Sequence, residues 1–163
     1  MANPDRPNGF RASPLDRVSV YQGASDASAM YPGDMCILES TGEADVSVAG
    51  STGLVGAAVS YLAAGADTGI RICDDPSQAY IGQDDGSATP TLSNVGNNAD
   101  IVATAGDSTL KQSRQEIDAS DLATSASQLR MLEIIAHPEY AIGVNSLWKC
   151  VLNEHYLRTT TGI

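Results

Sequence analysis

The feature that most restricts this chain is the period of its apolar residues. In "SLWKCVLNEHYL" (146–157), Trp148, Cys150 and Leu152 alternate with Leu147, Lys149, Val151 and Asn153. A period of two sends successive side chains to opposite faces of an extended strand, where a helix would need apolar residues every three to four positions. The same reading applies to "RVSVYQ" (17–22), "GDMCILES" (33–40, opened by a Pro32-Gly33 turn), "ADVSVAG" (44–50) and "GLVGAAVSYLA" (53–63). It extends to "GIRICDD" (69–75), "QAYIGQDDG" (78–86) and "ADIVATAG" (99–106). Gly56, inside an apolar run, marks a bulge or a close backbone approach. Turn residues recur about every ten positions, the spacing of a sandwich or barrel.

One segment breaks the pattern. "IDASDLATSASQLRMLEII" (117–135) opens with Asp118 and Ser120, either of which can N-cap a single helical turn. Its end, "QLRMLEIIAHP", alternates from Leu129 until Pro138 stops it. The expected fold is all-β: one sandwich or barrel-like domain over 17–163, with an extended N-terminal arm over 1–16 and at most a short helix near 118–126.

Composition narrows the function classes. Twenty acidic residues against nine basic ones give a formal net charge of −11, which opposes attraction to phosphate backbones or anionic lipid. No stretch interleaves basic and aromatic residues as a nucleic-acid platform does. With one Trp and one Phe, the core must be built from Val, Ile, Leu and Ala. Cys36, Cys73 and Cys150 are far apart and each sits in an apolar strand. They read as small buried hydrophobes made in a reducing compartment. The start of the chain has no apolar core of the secretory kind, and no run has bilayer-spanning length.

The first sixteen residues, "MANPDRPNGFRASPLD", hold Pro4, Pro7 and Pro14. Each removes a backbone donor, so no regular element of the segment's own is expected. The alternatives are a disordered tail, or an arm that orders on a partner with Arg6, Phe10 and Arg11 as anchors. On the arm reading, deleting residues 1–13 abolishes binding and leaves the domain folded. Trp148 is a second candidate anchor, against the simpler reading of a core tryptophan.

The stretch "RICDDPSQAYIGQDDGSATP" (71–90) invites a search for metal chemistry, because Asp74, Asp75, Asp84 and Asp85 fall close together. A calcium loop needs a glycine at its sixth place and a glutamate at its twelfth. Counting from Asp74 gives Ala79 and Asp85 at those places, so the spacing fails. The aspartates read instead as solvated strand ends, with Asp85-Gly86 as a turn. Asp67-Thr68-Gly69 carries an aspartic-protease tripeptide, but a glycine and alanines precede it as they would a turn. His137 and His155 form no zinc-binding pattern, and Cys150 and His155 fall on opposite faces of a strand. No phosphate-binding or nucleophile-elbow motif is present. No catalytic residue, cofactor or metal is expected.

The segments in order resemble a known family. They are "MANPDRPNGFR", "SDASAMYPGD", "GLVGAAVSY", "CDDPSQAYIGQDDG", the stretch from Val95 to Ile135, and "NSLWKCVLNEHYLRTTTGI". Together they resemble the capsid decoration, or cement, proteins of tailed phages, common among marine phages. The likeness runs over nearly the whole chain, although residues 60–71 are short and Ala/Gly-rich where relatives carry a longer loop. The resemblance implies a non-enzymatic protein made in the host cytoplasm and placed on the outer surface of an icosahedral head. Its expected partners are the major capsid protein and copies of itself, as a homotrimer, with neither nucleic acid nor membrane. Another virion component, a head fibre or tail-tube-like protein, is the alternative, and a trimeric β-barrel hydrolase using Asp67 or the 74–85 aspartates is a distant third.

Overall fold

In the computed structural model, which describes residues 3–24, 28–125, 128–135 and 137–158, the alternating runs become strands of two antiparallel sheets. The polar tail after Arg158 and the first two residues of the arm lie outside the described residues. One sheet contains β1 (Arg11–Ala12), β7 (Ala79–Gln83), β12 (Leu147–Leu152), β11 (Leu129–Ile134) and β8 (Asn98–Ala99), in that spatial order. The other contains β2 (Val18–Gln22), β6 (Gly69–Cys73), β5 (Leu54–Ala58), β3 (Met35–Leu38) and β4 (Ala44–Val46). A two-stranded ribbon pairs β9 (Ile101–Val102) with β10 (Glu116–Ile117). The fold is an all-β sandwich. Its helical content among the described residues is confined to short 3-10 turns, one of them Ala119–Asp121, where the Asp118 carboxylate caps Ser120 and Asp121 N–H.

The sheets are held face to face by a core drawn from both. Met35, Leu54 and Ala57 of one sheet pack with Tyr80, Leu129, Met131, Trp148, Cys150 and Leu152 of the other. A second core of Cys36, Val55, Ala58, Ile70 and Ile72 lies on the opposite face of the β5–β6 sheet, closed by Ala24, Met30 and Leu62. β5, between the two cores, is therefore covered on both faces, which explains why all five of its residues are buried.

Gly56 makes this possible. Strict alternation would put Leu54, Gly56 and Ala58 on one face, yet Leu54 and Ala57 share the first core, and Val55 and Ala58 the second. The phase slips by one residue at Gly56, where the register with β3 also shifts, between Cys36 and Ile37. The glycine has φ 147°, and a Cβ there would sit 1.8 Å from the Cys73 carbonyl oxygen. A residue without a side chain is required. The same slip occurs in β11, where the register shifts between Met131 and Glu133. Ile134 thereby packs against the core that takes Leu129 and Met131.

"ADIVATAG", expected as one strand, is divided. β8 joins the five-stranded sheet and β9 the ribbon, with Asp100 at the corner. There the Asp100 carbonyl accepts from Asp118 N–H and its carboxylate from Gln128 N–H. Cys36, Cys73 and Cys150 are free and buried.

Candidate functional site

Two of the four aspartates in 71–90 are not solvated strand ends. Asp74 is 2% exposed and Asp84 fully buried. Asp74 receives a two-pronged contact from the Arg17 guanidinium at 2.9 and 3.0 Å, and the Tyr21 hydroxyl at 2.7 Å. Burial raises its carboxyl pKa, but those donors outweigh it and hold the group below the ordinary range. Asp84 accepts from the backbone N–H of Gly86, Asn145 and Ser146 and from Trp148 Nε1. Here burial wins, and the carboxyl is pushed up. Asp74 ties β2 to the end of β6, and Asp84 ties the loop before β12 to the end of β7. Asp75 and Asp85 follow the expected pattern of turn caps, accepting from Ser77 N–H and Ser87 N–H. Among the described residues no group of three or more His, Cys, Asp or Glu side chains is placed to hold a metal ion.

The remaining chemical candidates are dispersed. Asp67 is exposed in its turn and accepts from the Gln22 side-chain amide. Cys150 Sγ points to the Tyr80 carbonyl, whereas His155 Nδ1 accepts from Leu157 N–H. His155 is buried, which lowers its pKa, and among the described residues its Nε2 has no hydrogen-bond partner. His137 is exposed beside Tyr140.

The N-terminal segment is part of the body. Arg11 and Ala12 form β1, paired with Ile81 and Tyr80 of β7. The Gln83 side chain grips the segment twice, accepting from Arg6 N–H and donating to the Pro4 carbonyl. Asn3 donates to the carbonyls of Ala141 and Val144. Phe10, expected as an anchor for a partner, is 2% exposed and sits in the inter-sheet core of its own chain. Its ring lies over Gly82, where a Cβ would be 2.8 Å from Cε1. Trp148, the second expected anchor, is fully buried. Both are unavailable to a partner in this conformation, because each fills the space between sheets that the chain's few aromatics must fill. Removal of residues 1–13 would open that core, so the expectation of an intact truncated domain is corrected.

Arg6 and Arg11 are placed differently. Both side chains are exposed, and among the described residues neither makes an ion pair. They flank two adjoining grooves on either side of the β1 segment. The first, about 430 Å³, runs between Arg11, Ala12 and Leu15 on one wall and Val59, Leu110 and Lys111 on the other. The second, about 440 Å³, lies between Arg6 and Arg11 and the side chains of Ile135, Tyr140 and Leu147. Among the described residues no Asp or Glu lines either groove. In a chain of net charge −11, the charged side chains lining these grooves are thus the basic Arg6, Arg11 and Lys111.

Sequence reasoning missed half of this face. Leu15 and Leu110 are 54% and 70% exposed at the first groove. Leu110 and Lys111 are presented by a loop closed at Asp107 and Gln112, with the Asp107 carboxylate capping Thr109 and Leu110 N–H. Lys111 has φ 54°, a left-handed conformation that is costly for a side-chain-bearing residue. Its ammonium stands 4.3 Å from the Tyr61 ring centroid. The available signal was the pair "LK" between turn residues, apolar and basic in a loop that had no core to fill. Beyond the second groove the sign reverses: Asp5, Asp85 and Asp84 face Glu116. Burial and these carboxylates push the Glu116 carboxyl up to about 7, with Arg114 opposing.

No protein-family model, curated protein or solved structure matches the chain.

Proposed function

We propose that this chain is a structural virion protein that binds the outside of an icosahedral phage head and cements neighbouring major capsid subunits. The reading starts from the resemblance of its ordered segments to capsid decoration proteins. The observation that carries it in the structure is the pair of grooves around β1, which no Asp or Glu lines among the described residues and which Arg6, Arg11 and Lys111 flank beside exposed Leu15 and Leu110. Such a face suits contact with an acidic protein surface, and leaves the acidic remainder of the molecule outward and soluble. Arg6 and Arg11 keep their proposed partner-binding role; Phe10 and Trp148 instead hold the face in shape. Association of copies, as a homotrimer, would multiply weak single contacts into stable attachment. Neither nucleic acid nor membrane suits the charge.

Co-sedimentation tests this reading. The purified chain should pellet with phage heads lacking it, and the triple variant Arg6→Glu/Arg11→Glu/Lys111→Glu should stay in the supernatant with an unchanged circular dichroism spectrum. Failure of the unmodified chain to bind heads would overturn the proposal.

A further inference from the structure

The first groove holds more than charge, because it exposes main chain. In an antiparallel ladder, successive residues turn their N–H and C=O alternately toward and away from the partner strand. Ser13 N–H bonds the Ala79 carbonyl of β7 at 2.9 Å, so Ala12 turns its N–H and C=O the other way. On that outer side Phe10 N–H is taken by the Gly33 carbonyl at 2.8 Å. Ala12 has no such bond among the described residues, and it lines the groove. β1 is also the edge of its sheet. The groove thus offers one free strand-edge donor and acceptor, with a guanidinium on the same strand, an ammonium across from it and two exposed leucines.

We infer that this groove is a strand-addition site for an extended acidic segment of the partner protein, seated beside β1 with its main chain on Ala12. The segment's carboxylates reach Arg11 and Lys111, and its alternate apolar side chains cover Leu15 and Leu110. Main-chain pairing supplies affinity and the alternating side chains supply selectivity. The commitment to an acidic polypeptide follows from complementarity, since among the described residues no carboxylate lines the groove while basic side chains stand on both walls. The identity of that partner as a capsid subunit rests on the function proposed above; the chemistry of the site does not.

Two measurements separate those claims. In the first, the isotope-labelled chain is titrated with a peptide of about eight residues alternating aspartate and valine, against a lysine–valine control. Amide shifts should concentrate at Arg11–Leu15 and at Leu110–Lys111 and be absent with the control. Arg11→Glu/Lys111→Glu should weaken binding about tenfold or more. Ala12→Pro, which removes only an N–H facing away from β7 and is tolerated on an edge strand, should also weaken it, with the fold retained. Shifts elsewhere, equal shifts with the lysine peptide, or full binding by Ala12→Pro would overturn the strand-addition site. In the second, heads are offered the unmodified and Ala12→Pro chains. Equal binding by both overturns the site and leaves the decoration role standing, and binding by neither, with the peptide result intact, overturns that role alone. Self-association in sedimentation that Ala12→Pro abolishes would overturn the choice of occupant in favour of a second copy.

Discussion

Phe10→Ala separates a structural N-terminal segment from a free arm. The Phe10 ring is 2% exposed, lies over Gly82, and shares the inter-sheet core with Ile117 and Trp148. Truncating a buried phenylalanine to alanine costs about 3–5 kcal/mol, from lost transfer free energy and the cavity left behind. For a domain of this length each kcal/mol lowers Tm by about 2–4 °C, so a cost of about 4 kcal/mol means a fall of roughly 8–16 °C. That is a large part of the 5–15 kcal/mol that typically holds a domain together. Thermal unfolding followed by far-ultraviolet circular dichroism, with urea denaturation as an independent measure, reads it directly. Arg6→Ala and Arg11→Ala, on exposed side chains of the same segment, should change stability by less than about 0.5 kcal/mol. If Phe10→Ala lowers Tm by no more than those controls, the segment is not part of the core.

Three further outcomes follow from groups in or beside the core. Gly56→Ala should cost more than about 4 kcal/mol or prevent folding, because its Cβ would stand 1.8 Å from the Cys73 oxygen, whereas Gly42→Ala, with nothing within 4 Å, should cost far less; similar urea midpoints for the two would refute the bulge argument. Glu116 has its folded pKa raised to about 7 above an ordinary value of 4.5, so the folded state holds the proton more tightly. Its contribution is intact below pH 4.5 and declines as pH rises through about 7. Glu116→Gln should flatten that decline and, discounted for partial exposure, raise Tm at pH 8 by about 2–4 °C; an unchanged slope in a pH series of melts would refute the assignment. The three cysteine thiols are buried, with burial pushing Cys150 up to about 12 and Cys36 and Cys73 also upward. A thiol-specific chromogenic disulfide should label none of them quickly in the native state and all three in guanidinium, and rapid native labelling of any would contradict the packing.

How far the sequence could be read depended on whether a residue's partner lay nearby in the chain. Period two in 147–152 reports a local geometry, and its buried side, Trp148, Cys150 and Leu152, is the side the alternation named. Gly56 was legible for the same reason, since a glycine in an apolar strand answers a local steric demand. Asp84 was not legible: three of its four N–H donors come from Asn145, Ser146 and Trp148, more than sixty positions away. Asp74 depends in the same way on Arg17 and Tyr21. Phe10 was misplaced because a proline-rich segment looks unable to pack, while its socket is built by Gly82 and Ile117. The charges Arg6 and Arg11 could be picked out from the sequence, but the first groove could not, because Leu110 and Lys111 meet Arg11 only through the fold.

The central claim is that the face around β1 meets the capsid. On the function proposed above, a cryo-electron microscopy map of phage heads carrying the chain tests it most directly. The account predicts the sandwich on the outer surface of the head at a junction between major capsid subunits, with Arg6, Arg11 and Lys111 turned toward the shell and an added strand beside Ala12. Density for the chain in the tail, or on the head with the β1 face turned to solvent, would contradict it.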